Sequence, residues 1–224
     1  MGIVTKLEVQ KRNKKRVNVY VDDVYAFSLS LDEAARLSRG QVLSDADIDT
    51  LMNLSAVGLA VDRALRFLTL RPRSVGEVKQ NLARNGVAPL VVDAAIERLT
   101  QIGYLDDRVF ASLWVEDRNR FKPTSPKALR YELKQKGVEN AVIDAALADL
   151  DAGTAAYRAA ESQLKKLRGS TQRAFRDRLT AYLLRRGFNH DLARRTIKRM
   201  IEDLEAETPE YFADEESDEF YDET

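Results

Sequence analysis

The chain has 224 residues, of which 44% are hydrophobic and 32% charged, and its 36 basic and 36 acidic side chains cancel to a net charge of zero. It has no cysteine, which excludes disulfides, thiolate metal sites and thiol nucleophiles. No apolar run approaches the roughly 18 residues of a membrane span, and the N-terminus lacks the apolar segment of a secretory signal. We therefore expect a cytoplasmic protein without a membrane partner, built from one or two domains or from a short array of repeats.

The zero net charge is the average of two very different parts of the chain. Residues 205–224 contain ten acidic residues and no basic ones, so residues 1–204 carry a formal charge of +10. Acidic blocks of this kind are usually disordered and often act as interaction tails. The sequence therefore predicts a basic folded body and an acidic, disordered tail over residues 205–224.

Residues 1–54 are predicted to form a small N-terminal unit of strands and short helices. Residues 17–29 alternate apolar and polar side chains around Asp22-Asp23, a pattern typical of a β-hairpin. Residues 3–10 can add a third strand to this hairpin. The region therefore favours a β-hairpin or meander at the start of the chain.

Two helix signals follow the predicted strands. The segment "LDEAARLSRG" is typical of a short helix closed by Gly40. Ser44 and Asp47 form a capping pattern at the start of another helix. From about residue 55 onward the apolar residues follow the helical period, which predicts a mainly α protein.

An internal repeat of about 50 residues occupies the rest of the chain. The segments "LARNG", "LKQKG" and "LLRRG" end at Gly86, Gly137 and Gly187, which lie 51 and 50 residues apart. Apolar residues recur in all three copies at positions eight and four before the glycine and one, ten and thirteen after it. These residues are Val78, Leu129 and Leu179; Leu82, Leu133 and Leu183; Val87, Val138 and Phe188; Ile96, Leu147 and Ile197; Leu99, Leu150 and Met200.

Each copy is predicted to contain two helices joined at the glycine. Apolar residues four apart lie on one helix face, and glycine at the C-terminal end adopts the positive φ that the turn requires. The helix start signals are a Ser74-x-x-Glu77 capping box, Ser125 followed by Pro126, Pro89 in a first turn and Asn189 as an N-cap.

A further helix is expected before each pair, over about 56–70, 107–121 and 152–168. The predicted domains are thus three-helix repeats over residues 55–105, 106–151 and 152–204. Because a three-helix unit of this size cannot bury its apolar face well alone, the repeats are expected to pack in an elongated array.

Signals for enzymatic chemistry are nearly absent. The single histidine, His190, is expected at a solvated helix start, and no phosphate-binding loop is present. Asp106-Asp107 could hold a metal or act as an acid–base pair, but its place before an apolar-periodic helix favours helix capping. The sequence predicts no catalytic residue, no metal and no cofactor.

The strongest functional signal is the positive charge of the third repeat. Residues 154–200 contain thirteen basic and three acidic residues, whereas residues 56–104 are far more balanced. A polyanion would relieve the repulsion among these cations, while the alternative is a solvated face neutralised by the acidic tail. The candidate residues for binding nucleic acid or a filament are Lys165, Lys166, Arg168, Arg173, Arg176, Arg185, Arg186, Arg194, Arg195, Lys198 and Arg199. A second cluster, "KRNKKR" at residues 11–16, is either a phosphate-reaching loop or a soluble turn.

Four segments carry a family resemblance: "ALRFLTLRPRSVGEVKQNLARNGV", "IERLTQIGYLDDRVFASLWVEDR", "ELKQKGV…VIDAAL" and "LLRRGF". Together they resemble the RecX regulatory protein family, bacterial modulators of the RecA recombinase, over roughly residues 55–204. The combination of GYLDD, Phe110-Ala111 and a following Leu-x-x-x-Gly-Val unit is the specific part. The segment "RFKPTSPKAL" departs from the family, because it has two prolines where the family tends to have a glycine.

The resemblance implies a non-enzymatic protein of tandem three-helix repeats, elongated and curved. Such proteins are understood to lodge in the helical groove of the RecA–single-stranded DNA filament and to suppress its ATP hydrolysis and strand exchange. They do so by blocking filament extension or by destabilising the filament. It also implies a role in DNA recombination, DNA repair and the SOS response. The expected partners are the RecA filament and single-stranded DNA, with duplex DNA as a further ligand, and the protein is expected to be a monomer.

A stand-alone nucleic-acid-binding module is the alternative. In "LLRRGFNHDLARRTIKRM" two predicted helices meet at a glycine turn, as in a helix-turn-helix motif. The same turn occurs in the first two copies without basic flanks, which indicates repeat architecture and disfavours this interpretation.

Overall fold

The structure is a computed structural model that describes residues 1–213, and the chain divides after Asp106 into two compact units. The first unit contains β1 (Gly2–Val9), β2 (Arg16–Val21), β3 (Val24–Ser30), α1 (Leu31–Ala34), β4 (Val42–Leu43), α2 (Asp45–Leu68), α3 (Val75–Arg84) and α4 (Pro89–Gln101). The second contains α5 (Asp107–Phe121), α6 (Pro126–Gln135), α7 (Asn140–Leu147), α8 (Ala152–Glu161), α9 (Leu164–Leu167), α10 (Gln172–Arg185) and α11 (His190–Glu207). Within residues 1–213, no helix combines the length and the hydropathy that a membrane crossing requires.

The N-terminal strands form one antiparallel sheet with the order β3-β2-β1-β4. Asp22 and Asp23 both have positive φ, at 49° and 66°, as the two central residues of a tight hairpin turn require. The predicted hairpin and third strand are therefore confirmed. The two-residue strand β4 was not predicted, because its pairing with β1 is too short to leave a pattern in the sequence.

The helix expected to close at Gly40 is shorter than predicted. It ends at Ala34, and Gly40 lies in a later turn with φ of 85°. There the Gly40 N–H donates to the carbonyl of Val4 at 2.8 Å, which returns the chain to the edge of β1. Gly40 thus forms part of the turn that leads into β4 and does not end the helix.

Helix α2 is continuous across residues 54 and 55, where the sequence placed the boundary between the N-terminal unit and the first repeat. It begins at the predicted Ser44–Asp47 capping box and runs for 24 residues. Its first half packs Leu51 and Leu54 against the core of the sheet, and its second half buries Ala60 and Ala64 in the core of the first repeat. One helix therefore belongs to both cores.

Arg16 at the end of the KRNKKR segment is buried, with 4% exposure. Its Nη1 lies 3.2 Å from a carboxylate oxygen of Asp62 on α2, and its Nη2 donates to the carbonyl of Ser28 at 2.6 Å. A Cβ on Gly58 would stand 3.0 Å from Arg16 Nη1, so the glycine makes room for the guanidinium. Because a buried charge needs a partner and hydrogen bonds, Arg16 has a structural role between the sheet and α2.

The three repeats share one helix-ending motif. Gly86, Gly137 and Gly187 have φ between 75° and 84°. In each copy the residue after the glycine donates its N–H to the carbonyl of the leucine four positions before the glycine, at 3.1–3.2 Å. This is the Schellman motif, in which the two apolar residues also contact each other. The geometry explains why leucine at position −4 and an apolar residue at position +1 recur together.

The third repeat differs from the prediction at both of its ends. The helix expected over 152–168 is broken into α8 and the four-residue α9. The expected tail does not begin at residue 205, because α11 continues to Glu207 and Tyr211 is 5% exposed. The rest of the expected tail, residues 214–224, lies outside the described residues.

Tyr211 anchors the end of the described chain to the third repeat. Its hydroxyl donates to the carbonyl of Leu164 at 2.6 Å, and its carbonyl accepts from the Gly169 N–H at 3.0 Å. Its ring meets Phe175 and Phe212 edge-on, with centroids 6.0 and 4.9 Å away. Burial of this aromatic ring holds the acidic segment against the third repeat. Composition alone did not reveal the contact.

Within the second unit, the second and third repeats meet at the start of α6 and the turn between α10 and α11. The Ser125 N–H donates to the carbonyl of Arg186 at 3.0 Å. A Cβ on Gly187 would stand 2.7 Å from Ser125 Oγ and 2.8 Å from the Ala128 Cβ. Gly187 therefore has two roles, the positive φ of the turn and the close approach of the neighbouring repeat.

Candidate nucleic-acid interface

Helix α11 separates its basic residues onto two sides. Ala193, Ile197 and Met200 are buried in the core of the third repeat and share one face of the helix. Residues four apart lie above one another on a helix, so Arg194 and Lys198 flank this face on one side and Arg195 and Arg199 on the other. The sequence treated these four cations as one set, and the structure divides them into two pairs.

The first pair lines a groove between α10 and α11 with a volume of about 740 Å³. Arg176 on α10 faces Arg194 and Lys198 across this groove, and His190 lies at its α11 N-terminal end. Gln172, Thr180, Glu202 and Glu205 complete the polar lining, and Ile197 and Ile201 form the apolar part. We call this the α10–α11 groove; its cations come from two helices and converge on one space.

The second pair lines a smaller groove of about 480 Å³ between α8 and α11, with Arg158 on its far side. Arg199 is committed to the packing here, because its guanidinium lies 5.0 Å from the centroid of the Tyr157 ring. The Tyr157 hydroxyl donates to Asp203 at 2.7 Å, and this hydrogen bond raises the pKa of Tyr157 to about 12. Together with Arg199, this hydrogen bond ties α8 to α11.

Three of the four α11 cations face a carboxylate on the same helix. Arg194 pairs with Asp191 at 2.5 Å, Lys198 with Glu202 at 3.8 Å and Arg199 with Asp203 at 3.7 Å. These side chains are between 42% and 79% exposed, and exposed ion pairs of this kind contribute about 0–1 kcal/mol. The cations are thus less mutually repulsive than the sequence suggested, yet their charges remain accessible to a stronger polyanion.

The C-terminal end of α11 carries charge that the helix dipole disfavours. Its four basic residues lie near the middle of the helix, and the last turn carries no basic residue. Glu205 and Glu207 lie at the C-terminal end, where the negative pole of the dipole disfavours carboxylates. Helix stability therefore does not account for the carboxylates at this end of the helix.

The other predicted residues lie apart from the α10–α11 groove. Lys165, Lys166 and Arg168 belong to α9 and its end, next to the Tyr211 anchor. Arg173 and Arg185 are exposed on α10. Arg186 caps α10 beside the second repeat, and its guanidinium lies 5.0 Å from the Tyr182 ring. Arg186 is half-buried, and its Nη1 is buried without a hydrogen-bond partner in the described part of the chain.

Sequence reasoning left several groove residues out of the candidate set. Arg158, Gln172, Thr180 and His190 line the two grooves. His190 and Arg194 are four residues apart, so helical spacing could have linked them. The contributions of α8 and α10 depend on tertiary packing and carry no local signal.

The Asp106-Asp107 pair stands at a helix start. Helix α5 begins at Asp107, with this carboxylate in its first turn, where the positive pole of the helix dipole favours a negative charge. This position agrees with the capping interpretation of the sequence.

The fold and the site define a protein of tandem three-helix domains behind a small N-terminal sheet, with its positive charge concentrated in the third domain. Family models described as "Regulatory protein RecX N-terminal domain" and as the first, second and third three-helix domains of RecX match residues 2–44, 60–99, 106–147 and 153–197. The chain belongs to the RecX regulatory protein family.

Individual relatives agree with this assignment. The "Regulatory protein RecX" of Bacillus licheniformis is 34% identical over 86% of this chain and 75% of its own length. The protein of the same name from Bacillus subtilis is 32% identical over 94% of this chain and 80% of its own. A crystal structure of a regulatory protein RecX has the same fold, with a TM-score of 0.69, 24% identity and coverage of 91% of this chain and 100% of that chain. The RecX structure from Lactobacillus salivarius covers 65% of this chain and 97% of its own, at a TM-score of 0.56 and 19% identity.

Proposed function

We propose that the protein is a non-enzymatic regulator that binds the RecA–single-stranded DNA filament and inhibits its ATPase, strand exchange or extension. In this proposal the basic third repeat contacts DNA phosphates of the filament, and the protein acts as a monomer in the cytoplasm. The family supports a regulatory role, since its curated members are named regulatory proteins. RecA as the partner is inferred from the resemblance of the sequence to a family of RecA modulators.

One observation carries the DNA contact: Arg176, Arg194 and Lys198 converge on the α10–α11 groove from two helices. Cations that share one concave space raise the local potential and bind phosphates with release of counterions. The exposed ion pairs of Arg194 and Lys198 are weak enough for phosphates to replace them. The groove therefore supports binding of a polyanion by the third repeat.

A stand-alone helix-turn-helix module is the second candidate, favoured by α10, the glycine turn and the basic residues of α11. The Schellman turn at Gly187 is repeated at Gly86 and Gly137, which attributes it to the repeat architecture. A sequence-specific operator recovered by selection from random duplexes would support this candidate. Affinity that is indifferent to sequence would count against it.

The proposed function is tested by the ATPase of RecA on single-stranded DNA, titrated with this protein before and after the filament has formed. We expect inhibition in both orders of addition if the protein binds within the filament, and a much stronger effect before assembly if it blocks extension. Strand exchange is measured in parallel. Unchanged ATPase and strand exchange at saturating protein would refute a regulator of RecA, and binding to free DNA without either effect would favour the stand-alone module.

The acidic C-terminal end is expected to weaken DNA binding. Residues 214–224 contain seven carboxylates and no basic residue. Within the described residues, the Tyr211 anchor lies beside the basic α9. Tethered carboxylates compete with phosphates at high effective concentration. Truncation after Ala213 should therefore tighten binding of oligo(dT) severalfold at low salt, with the difference shrinking as salt screens the charges.

The truncation at Ala213 keeps the Tyr211 anchor, whereas a cut at residue 205 would also remove the last turn of α11 and disturb the core. A matched control keeps the length and changes the seven carboxylates to amides. Fluorescence anisotropy across a salt series measures both variants. If the amide variant binds oligo(dT) as the full chain does, the acidic segment has no part in DNA binding.

A further inference from the structure

The second repeat has an exposed face on α6 that combines two lysines with an aromatic ring. Lys127, Tyr131 and Lys134 are spaced by four and three residues, so they share one side of the helix. Leu129 and Leu133 lie on the buried side and form part of the repeat core. The Tyr131 ring is 66% exposed, which leaves a large aromatic surface in solvent between two cations.

This face is not required by the repeat. The positions of Lys127, Tyr131 and Lys134 relative to Gly137 are occupied in the first repeat by Gly76, Gln80 and Ala83. In the third repeat the equivalent residues are Asp177, Ala181 and Leu184. Both of these repeats fold with the same helix-ending motif, so the lysines and the ring of α6 add nothing to the common architecture.

The surrounding acidic groups are already engaged elsewhere. Glu132 accepts hydrogen bonds from Trp114 Nε1 at 2.8 Å and from Arg118 Nε at 2.9 Å, on the side of α5. Asp144 on α7 pairs with Arg130. Among residues 1–213, neither Lys127 nor Lys134 forms an ion pair, and Tyr131 makes no ring contact. The face is thus a cationic strip with an uncovered ring.

The strip begins next to the basic third repeat. Ala128, adjacent to Lys127, lies against Gly187, and the Ser125 N–H donates to the Arg186 carbonyl. The turn between α10 and α11 therefore meets the N-terminal end of the strip. The strip and the third repeat belong to one compact unit.

We infer that Tyr131 stacks on an unpaired base of a single-stranded nucleic acid while Lys127 and Lys134 contact its phosphates. A single strand fits this chemistry because a protruding tyrosine ring can reach a base face only where the base is not stacked in a duplex. The two lysines are about 10 Å apart along the helix axis and flank the ring, so they can hold the backbone on both sides of a stacked nucleotide. This inference deepens the proposed function, on which it rests, by adding a second DNA contact on another repeat.

Direct binding of labelled oligo(dT) to the full chain, without any recombinase, tests the inference. We expect Tyr131→Ala to weaken binding about tenfold, Tyr131→Phe to retain it, and Lys127→Ala to lower the salt slope by about 0.7. The matched control is Tyr25→Ala, since Tyr25 is 52% exposed on the N-terminal sheet beside the acidic Asp22-Asp23 turn. A strand carrying 5-iododeoxyuridine should photo-crosslink to Tyr131, identified by mass spectrometry of the digested protein.

An oligonucleotide with abasic sites separates stacking from charge. Wild type should bind it more weakly than oligo(dT), and Tyr131→Ala should bind both equally. If Tyr131→Ala binds oligo(dT) as wild type does, stacking at this residue is refuted while the proposed function stands. If that variant binds DNA normally yet no longer inhibits the RecA ATPase, the face contacts protein and the inference is overturned. A wild type that inhibits the ATPase without binding oligo(dT) at low salt would also overturn it.

Discussion

We expect replacement of Arg176, Arg194 and Lys198 by alanine to lower the affinity for single-stranded DNA about 100-fold at 0.1 M salt. Each phosphate contact to a single strand contributes about 0.7 to the slope of log affinity against log salt, so losing three lowers the slope by about 2. The three cations face one another across the α10–α11 groove, and their exposed partners restrain them only weakly. The concentration of protein that half-inhibits the RecA ATPase should rise in parallel.

A second triple variant controls for net charge. Lys165, Lys166 and Arg168 are three exposed cations of the same repeat that lie on α9 and at its C-cap, outside the groove. Their replacement by alanine removes the same charge, yet should weaken binding only a few-fold, because it acts through long-range attraction alone. Anisotropy titrations over a salt series compare the two variants, and circular dichroism confirms that both remain helical.

Equal losses from the two triple variants would mean that binding responds to the overall charge of the repeat and that the groove has no special role. A larger loss of affinity in the α9 variant would indicate that DNA binds at α9 and not in the groove. Replacing Arg194, Arg195, Lys198 and Arg199 together would be less informative, because it mixes two grooves. It would also remove the Arg199 contact with Tyr157, so a loss of binding could reflect loosened packing of α8 on α11.

The sequence predicted those parts of the fold whose signals are local. The Schellman turns depend on a leucine, a glycine and an apolar residue within six positions, so three copies of that pattern revealed the repeat. The hairpin turn at Asp22-Asp23 and the caps at Ser74, Ser125 and Asn189 are equally local, and the structure has them where the sequence placed them. Caps and turns are held by hydrogen bonds between residues close in sequence, so a short stretch of sequence is enough to predict them.

Features that depend on distant partners were missed. Arg16 looked like one of several loop cations, and its partner Asp62 is 46 residues away. Tyr211 stands in an acidic segment, and only the carbonyl of Leu164 and the ring of Phe175 make it a buried anchor. The continuity of α2 was hidden because each half has its own apolar pattern for its own core.

In the candidate site, too, the sequence predicted the local features and missed those that depend on distant partners. Composition located the positive charge in the third repeat, and helical spacing could separate Arg194 and Lys198 from Arg195 and Arg199. Which helix faces each pair is decided by packing, since Arg176 comes from α10 and Arg158 from α8. A sum of charges cannot distinguish a groove between two helices from a scatter of cations.

The seam between the second and third repeats leads to the other large expected effect. Gly187→Ala should destabilise the second unit by about 3 kcal/mol. About 1 kcal/mol of this comes from the positive φ of 84°, which alanine adopts with strain. The remainder comes from overlap, because the new Cβ would stand 2.7 Å from Ser125 Oγ and 2.8 Å from the Ala128 Cβ. Urea unfolding followed by circular dichroism measures the change.

Gly169→Ala is the matched control, because Gly169 has a similar φ of 77° in the same repeat and a Cβ there meets nothing within 4 Å. Gly169→Ala should lower the free energy of unfolding by only about 1 kcal/mol, the cost of the backbone strain. Trp114, the single tryptophan, reports on the second repeat by its fluorescence. If Gly187→Ala opens the seam, the Trp114 transition should separate from the circular dichroism transition, because the repeats no longer unfold together. Equal costs for the two alanines would show that the neighbouring repeat yields to the added methyl group, and the close approach at Gly187 would then contribute nothing to stability.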